Sequence, residues 1–225
     1  MLITIQKLLT AETLESVRNR TAGLSWTEGQ ATAGQVAREV KHNQQADLSG
    51  RTGAKLREDL LEAVRTHPVI AAAAWPKRFT RPLISRTRAG GGYGYHVDNA
   101  LMGPVAERIR TDLSYTLFLS EPGEYEGGEL VIELPGMTQA LKPAAGDLVL
   151  YPSTALHQVA PLLGGERLAF VGWIESRIRG VEQRELLFDL ANLRHSLAGR
   201  LDPQSAESLT LSKIQANLLR LWAES

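Results

Sequence analysis

Apolar positions follow two different periods along the 225-residue chain, and the changes of period divide it into three parts. The first third carries a stripe at helical spacing, formed by Leu56, Leu60, Leu61 and Val64. We predict helices over residues 10–22 and 49–67, with Thr10 and Ser49 as their capping residues. A short strand is predicted at residues 2–9. The first third therefore supplies helices that pack against a sheet.

From about residue 79 to residue 175, the pattern changes to short apolar runs separated by glycine and proline. The candidate strands cover residues 82–88, 93–98, 112–119, 128–134, 137–142, 147–151, 156–160 and 167–175. Short strands with such turns predict an antiparallel sandwich or barrel, and a jelly roll is the common eight-stranded solution. The predicted fold is mainly β with flanking helices around a double-stranded β-helix (jelly-roll) core.

After Arg177 the helical period returns in two stripes. The first consists of Leu186, Leu187, Leu190, Leu193 and Leu197, and the second of Leu211, Ile214, Leu218, Leu221 and Trp222. They predict a C-terminal helix pair, which either covers the sheet or forms the surface of a homodimer. We divide the chain into a jelly-roll domain with N-terminal helices at residues 1–177 and a helical appendage at residues 178–225.

Composition narrows the classes of function. The 25 basic and 25 acidic residues give a formal net charge of zero, which argues against a nucleic-acid partner. The longest purely apolar stretch, residues 69–75, is too short to span a bilayer, so we expect no membrane partner and a cytoplasmic location. The chain has no cysteine, which excludes disulfides, thiolate metal sites and a cysteine nucleophile. Any metal must be held by His, Asp or Glu.

The first candidate for chemistry is the pair His96 and Asp98 in the predicted strand 93–98. Residues i and i+2 of a strand point to the same face, so an imidazole and a carboxylate converge there as two metal ligands must. The pattern is weak by itself, because a His-x-Asp pair also arises by chance.

The second candidate is His157, which opens the predicted strand 156–160 after a proline break. A lone histidine at the start of a strand is more often a structural residue than a ligand. With His96 and Asp98 it completes a set of two histidines and one carboxylate. This facial triad leaves positions open on ferrous iron, and the same ligand set also suits the zinc of some hydrolases.

The third candidate is Arg167, ten residues after His157. A turn at residues 163–165 is predicted to make their two strands antiparallel neighbours and to bring the two side chains together. Because Arg167 is flanked by apolar residues, we expect it to be partly buried, and a buried guanidinium needs an anion. A dicarboxylate cosubstrate would supply one.

Taken together, these residues resemble the iron(II)/2-oxoglutarate-dependent dioxygenases, and the wider sequence resembles the PKHD-type hydroxylases, which are similar to prolyl and lysyl hydroxylases. The resemblance covers nearly the whole chain, and it is carried by the segments 93–98, 110–114, 116–120, 125–130, 146–157 and 173–176, together with Arg167. One departure is Thr87, where the family often has a tyrosine that helps to bind 2-oxoglutarate.

The resemblance implies an enzyme in which His96, Asp98 and His157 bind Fe(2+) and Arg167 binds the distal carboxylate of 2-oxoglutarate. It implies hydroxylation of a small molecule or of a prolyl or lysyl-type side chain, with consumption of O2 and release of succinate and CO2. L-Ascorbate (vitamin C) is a candidate auxiliary cofactor. The retained Asp98 favours hydroxylation over halogenation, since related halogenases have a small residue at that position.

Two other classes of function stay open at this point. One is a cupin-like metal-dependent isomerase or hydrolase that uses zinc. The other is a non-catalytic sensor that binds 2-oxoglutarate and iron without turnover. A structural protein that acts through the C-terminal helices is a third and weaker alternative.

Overall fold

The computed structural model describes residues 1–32 and 39–224. The α-helices in this part of the chain are α1 (Ala11–Ala22), α2 (Arg51–Thr66), α3 (Pro68–Ala74), α4 (Val181–Leu197) and α5 (Ala206–Trp222). None of the helices in these ranges is long and apolar enough to cross a membrane. Helices at both ends of the chain therefore flank a central β region.

The strands carry most of the central part of the chain. They are β1 (Ile3–Ile5), β2 (Trp26–Glu28), β3 (Lys41–His42), β4 (Gln44–Ala46), β5 (Pro76–Phe79), β6 (Leu83–Arg88), β7 (Gly92–His96), β8 (Leu101–Met102), β9 (Ile109–Arg110), β10 (Leu113–Phe118), β11 (Tyr125–Gly127), β12 (Leu130–Leu134), β13 (Met137–Leu141), β14 (Leu148–Pro152), β15 (His157–Val159) and β16 (Leu162–Ser176). All eight strands predicted between residues 82 and 175 are present.

Two antiparallel sheets face each other. The major sheet has the order β1-β14-β10-β16-β6-β4-β2, with β5 and β11 also paired to β16, and the minor sheet has the order β13-β12-β15-β7-β3. Strands β8 and β9 form a separate hairpin. The prediction of a mainly β fold with a double-stranded β-helix core is confirmed, and the non-consecutive strand order is typical of a jelly roll.

The major sheet separates an apolar core from a cavity, and β16 shows how. Side chains alternate between the two faces of a strand. On one face, Phe170 and Ile174 are fully buried in a core shared with the N-terminal helices. On the other face, Arg167, Val171 and Trp173 line the cavity between the sheets. The same strand therefore stabilises the fold and supplies side chains for chemistry.

The N-terminal helices begin at different kinds of residue. Thr10 caps α1 as predicted, because its hydroxyl accepts a 3.2 Å hydrogen bond from the Thr13 backbone N–H. The prediction that Ser49 caps α2 is wrong, since Gly50 is the capping residue and provides no side-chain bond. The Ser49 backbone N–H instead donates to Asp47 Oδ1 at 2.9 Å, which holds Ser49 in a turn before the helix.

In the N-terminal region, one predicted strand is shorter in the structure, and one helix was not predicted. The strand predicted at residues 2–9 is shorter, because only Ile3–Ile5 pairs with β14. The apolar run after His67 forms the separate helix α3, which begins at Pro68. Proline is tolerated at the first position of a helix, where its missing N–H has no intrahelical partner.

The predicted C-terminal helix pair is present. Helix α4 packs against α3 and against α5, and its Leu187 is fully buried. Several large apolar side chains of the pair stay exposed, namely Leu186, Leu193, Leu209, Ile214 and Leu221. The division of the chain at residue 177 into two domains stays a prediction.

Candidate metal and cosubstrate site

The two candidate histidines lie opposite each other in the minor sheet. His96 ends β7, His157 begins β15, and the antiparallel register pairs them directly. Their ring centroids are 4.3 Å apart. Residues that oppose each other in an antiparallel pair project from the same face of the sheet. The register therefore brings together two imidazoles that are 61 positions apart in the sequence.

Asp98 joins the two histidines from a loop. The strand predicted at residues 93–98 ends at His96, so Asp98 lies two residues beyond β7. Its Oδ2 atom is 3.7 Å from His157 Nε2. One ligand atom from each of His96, Asp98 and His157 lies within 4.8 Å of the others. The three side chains converge as predicted, although the regular alternation of a strand does not hold as far as the carboxylate.

Backbone carbonyls fix the orientation of both imidazoles. His96 Nδ1 donates to the Gly94 carbonyl at 2.7 Å, and His157 Nδ1 donates to the Ala155 carbonyl at 3.0 Å. Each Nδ1 must carry the proton, because a carbonyl oxygen only accepts. The unprotonated nitrogen is then Nε2 in both rings, which is the arrangement that a pair of metal-binding histidines requires.

The surroundings of His96 favour its neutral form. Burial, and secondly the neighbouring His157, lower the pKa of His96 to about 4. The Tyr93 ring stacks on the His96 ring, with their centroids 3.6 Å apart. The ammonium of Lys41, which is on β3, lies 5.2 Å from the centroid of the Tyr93 ring. Burial and the charge of Asp98 raise the pKa of Tyr93 to about 12, so its hydroxyl stays protonated at neutral pH.

Ser114 holds the candidate carboxylate. Its hydroxyl donates to Asp98 Oδ2 at 2.6 Å and also lies 2.7 Å from the Ser153 hydroxyl. Both serines are at most 2% exposed. Sequence reasoning identified neither as a site residue, although Ser114 stands in the motif segment 110–114. A serine between Leu113 and Tyr115 in a strand of buried residues was the available signal.

Arg167 is a buried cation without a protein anion. Its side chain is on β16, directly opposite Thr87 on β6, and the residue is 2% exposed. Within the described chain, Arg167 Nε and Nη2 have no hydrogen-bond partner. Arg167 also forms no ion pair with a carboxylate of the described residues. Burial lowers the pKa of its guanidinium. Arg167 is thus more deeply buried than the partial burial that the sequence predicts, and its need for an anion stays a prediction.

The predicted route by which Arg167 approaches His157 is wrong. Strand β15 belongs to the minor sheet and pairs with β12 and β7, whereas β16 belongs to the major sheet. Residues 163–165 are part of β16 and pair with β11, so they do not form a turn. The arginine and the histidine instead face one cavity from opposite sheets.

That cavity has a volume of about 820 Å³, a size typical of small-molecule sites. The candidate ligands and Arg167 line its inner part. Its wall also includes polar and apolar side chains from several elements, among them Lys41, Asn43, Arg81, Leu101, Glu107 and Trp173. A metal with two histidines and one carboxylate would keep coordination positions open toward this space.

The chain was compared with known proteins. The sequence model of the 2OG-Fe(II) oxygenase superfamily matches residues 82–175. A PKHD-type hydroxylase from Hyphomonas neptunium is 52% identical over 223 residues, which cover 99% of this chain and all of that protein. A PKHD-type hydroxylase from Maricaulis maris is 44% identical over the full length of both chains.

A solved structure shares the fold. A prolyl hydroxylase from Trichoplax adhaerens, in complex with a peptide fragment of the hypoxia inducible factor oxygen degradation domain, superposes with a TM-score of 0.60 at 18% identity, covering 83% of this chain and 86% of that chain. The likeness is consistent with the double-stranded β-helix described above. The full-length identity to curated relatives goes further and establishes that this chain is an oxidoreductase belonging to the PKHD-type hydroxylases of the 2OG-Fe(II) oxygenase superfamily.

Proposed function

We propose that the protein hydroxylates its substrate with iron(II) held by His96, Asp98 and His157 and with 2-oxoglutarate held by Arg167, and that it releases succinate and CO2. The observation that carries this proposal is that one cavity contains both a convergent ligand set and a buried guanidinium without a protein anion. The first requires a cation and the second an anion, and an iron(II)–2-oxoglutarate pair supplies both.

The donor set fits iron(II). Two imidazoles whose Nδ1 atoms are engaged by backbone carbonyls, which leaves Nε2 for the metal, and one carboxylate match the facial triad of non-haem iron oxygenases. Two backbone carbonyls and Ser114 hold these three side chains in place. The ligands therefore need little further ordering when the metal binds. The carboxylate of Asp98 also takes the ligand position that a small residue frees for a halide in related halogenases, which favours hydroxylation.

The cosubstrate fit rests on Arg167. A buried guanidinium with unpaired N–H groups binds a carboxylate more strongly than an exposed one, because water does not compete for the donors. When bound at these residues, iron(II) and 2-oxoglutarate would supply the oxidising chemistry for hydroxylation, with O2 as the oxidant. The chain itself orients the bound carboxylate through Arg167, fixes the ligands, and excludes bulk water from the inner cavity.

The substrate is proposed to be a small molecule or a prolyl or lysyl-type side chain. Proteins of this fold accept both kinds of ligand: the prolyl hydroxylase from Trichoplax adhaerens carries a peptide, whereas HygX from Streptomyces hygroscopicus carries hygromycin B, with a TM-score of 0.54 to this chain at 12% identity over 78% of this chain and 82% of that chain. The mixed polar and apolar wall of the outer cavity suits a substrate that carries both kinds of group.

The test is succinate formation by purified protein supplied with iron(II), 2-oxoglutarate and O2. We expect slow uncoupled turnover without a substrate and a faster rate when a metabolite or peptide screen supplies one. His157→Ala and Asp98→Ala should each abolish turnover, whereas His195→Ala on α4 should not, since that histidine is exposed. Full turnover by either ligand variant would contradict the assignment.

The same assay distinguishes the rival functions. A sensor would bind 2-oxoglutarate without forming succinate under any condition of the screen. A zinc-dependent isomerase or hydrolase would retain zinc in preference to iron and would be indifferent to 2-oxoglutarate. L-Ascorbate acts as an auxiliary reductant in this proposal, so its addition should slow the loss of activity during uncoupled turnover.

A further inference from the structure

Beside Arg167 lies a second buried polar group that the proposed reaction does not use. The hydroxyl of Tyr125 has no hydrogen-bond partner in the described chain, and the residue is 5% exposed. We propose that Tyr125 is a positioning residue for cosubstrate binding, whose hydroxyl holds the Arg167 guanidinium in the orientation that grips the distal carboxylate of 2-oxoglutarate. This inference rests on the proposed function.

The strand register places Tyr125 next to Arg167. Strand β11 pairs with the first part of β16, and Tyr125 is directly opposite Gly165. Arg167 is two residues further along β16, which makes it a diagonal neighbour of Tyr125 in this register. Diagonal neighbours of this kind are within reach of an aromatic side chain.

Two glycines allow the close approach. Gly128 has φ +68°, and a Cβ atom there would lie 3.2 Å from Tyr125 Cδ2 and 3.3 Å from Arg167 Cδ. A side chain at position 128 would therefore crowd both the tyrosine ring and the arginine stem. Gly165 has φ +78°, and a Cβ atom there would lie 2.1 Å from the Glu124 carbonyl oxygen. The turn after β11 is therefore packed tightly around the Tyr125–Arg167 pair.

Electrostatics also couple the two side chains. Burial raises the pKa of Tyr125, and the guanidinium of Arg167 opposes this rise. On its other side, the guanidinium carbon lies 4.9 Å from the Phe118 ring centroid, which offers a cation no hydrogen bond. The Tyr125 hydroxyl is thus a neutral polar group against a cation that has no protein carboxylate, and it can accept one of the unpaired N–H groups.

Tyr125 is itself held in place by Lys142. The Lys142 ammonium donates to the Tyr125 carbonyl at 2.8 Å and lies 4.2 Å from the centroid of its ring. Arg167 lines the cavity, whereas Tyr125 is not among the lining residues that the structure describes. Its hydroxyl therefore approaches the arginine from outside the cavity lining, whereas Thr87, opposite Arg167, is one of the hydroxyl-bearing residues that line the cavity.

The test compares two 2-oxo acids on the iron(II)-loaded protein under anaerobic conditions, with calorimetry as the readout. 2-Oxoglutarate has a distal carboxylate, and 2-oxobutanoate does not. We expect Tyr125→Phe to weaken 2-oxoglutarate binding roughly tenfold, the loss typical of a hydrogen bond to a charged group, while 2-oxobutanoate binding stays unchanged. A tyrosine with a purely structural role would affect both acids alike.

Tyr115→Phe is the matched control. Tyr115 is also a buried tyrosine whose hydroxyl lacks a partner, but it packs in the apolar core on the helix side of the major sheet. This variant should bind both acids like the wild type. A further measurement uses the Arg167→Met background, where Tyr125→Phe should cost no additional affinity, because a positioning residue acts only through its target.

The outcomes separate this inference from the function on which it rests. If the wild type with iron(II) fails to bind 2-oxoglutarate, the proposed function is wrong and the inference falls with it. If the wild type binds and Tyr125→Phe binds equally well, or loses affinity for both acids to the same extent, only the role of Tyr125 is overturned. Thermal melting verifies that each variant is folded.

Discussion

The Ser114 hydroxyl donates a 2.6 Å hydrogen bond to Asp98 Oδ2, and this bond ties a carboxylate in a loop to a strand of the major sheet. The Ser153 hydroxyl, 2.7 Å from that of Ser114, continues the chain of hydrogen bonds away from the cavity. Of the three candidate ligands, Asp98 has the weakest support from regular structure, because β7 ends before it. The serine therefore compensates for a missing strand register.

This relationship predicts that Ser114→Ala lowers the affinity for iron(II) by roughly 10- to 100-fold, the usual effect of removing a group that orients a metal ligand. Titration of the metal-free protein with iron(II) under anaerobic conditions measures it. Ser196→Ala is a suitable control, because that serine is exposed on α4 and bonds only to a carbonyl of its own helix. Unchanged iron affinity in Ser114→Ala would show that Asp98 needs no such support.

We expect Arg167 to lower the stability of the ligand-free fold while it enables the binding of 2-oxoglutarate. A buried cation without a protein anion is costly, and an apolar side chain of similar length removes that cost. We expect Arg167→Met to raise the free energy of unfolding of the ligand-free protein by about 1–3 kcal/mol. The variant should also lose the thermal stabilisation that 2-oxoglutarate gives the wild type.

Chemical denaturation without ligand and thermal melting with ligand measure the two effects separately. A destabilised Arg167→Met variant in the absence of ligand would indicate that a protein group or bound water already satisfies the guanidinium. Retained stabilisation by 2-oxoglutarate would place its carboxylate elsewhere in the cavity.

Arg110 connects the C-terminus to the rim of the cavity. Its guanidinium bonds to Asp112 at 2.8 and 3.1 Å, to the Ser176 carbonyl at 3.0 Å and to Glu224 at 3.0 Å. Asp112 raises the pKa of Arg110 further above its ordinary value, so the cation is permanent. Arg110→Met should lower the free energy of unfolding by about 1–3 kcal/mol, because a partly buried carboxylate loses its main partner.

Urea denaturation measures this loss, and Arg65→Met provides the comparison. Arg65 forms an exposed pair with Glu62 on the surface of α2, and such pairs contribute about 0–1 kcal/mol. Equal effects of the two substitutions would mean that the Arg110 cluster is an ordinary surface network.

The homodimer through the C-terminal helices stays a prediction. Leu209 and Ile214 of α5 are 50% and 43% exposed, which leaves an apolar surface that a second copy could cover. If it does, Leu209→Glu combined with Ile214→Glu should convert a dimer into a monomer in sedimentation experiments without affecting iron binding. Truncation at residue 177 is a poorer test, because it would also remove the fully buried Leu187 of α4. A wild type that sediments as a monomer would contradict the prediction.

Local sequence signals were sufficient for the long elements of the fold. The strands from β6 to β16 that carry the core show apolar periodicity with glycine or proline breaks, and all eight were predicted. The two-residue strands, such as β3 and β8, were not, because so short a segment shows no period. Their existence depends on the neighbouring strand to which they pair.

The sequence by itself determined which side chains could perform the chemistry, because only a few residue types bind iron or a carboxylate and the motif segments group them. Tertiary structure alone decided how they meet. Strand register sets His96 against His157, and the closure of two sheets places Arg167 across the cavity instead of beside His157. Ser114 and Tyr125 became visible only there, since contacts between residues distant in sequence depend on register and sheet packing, which local patterns do not encode.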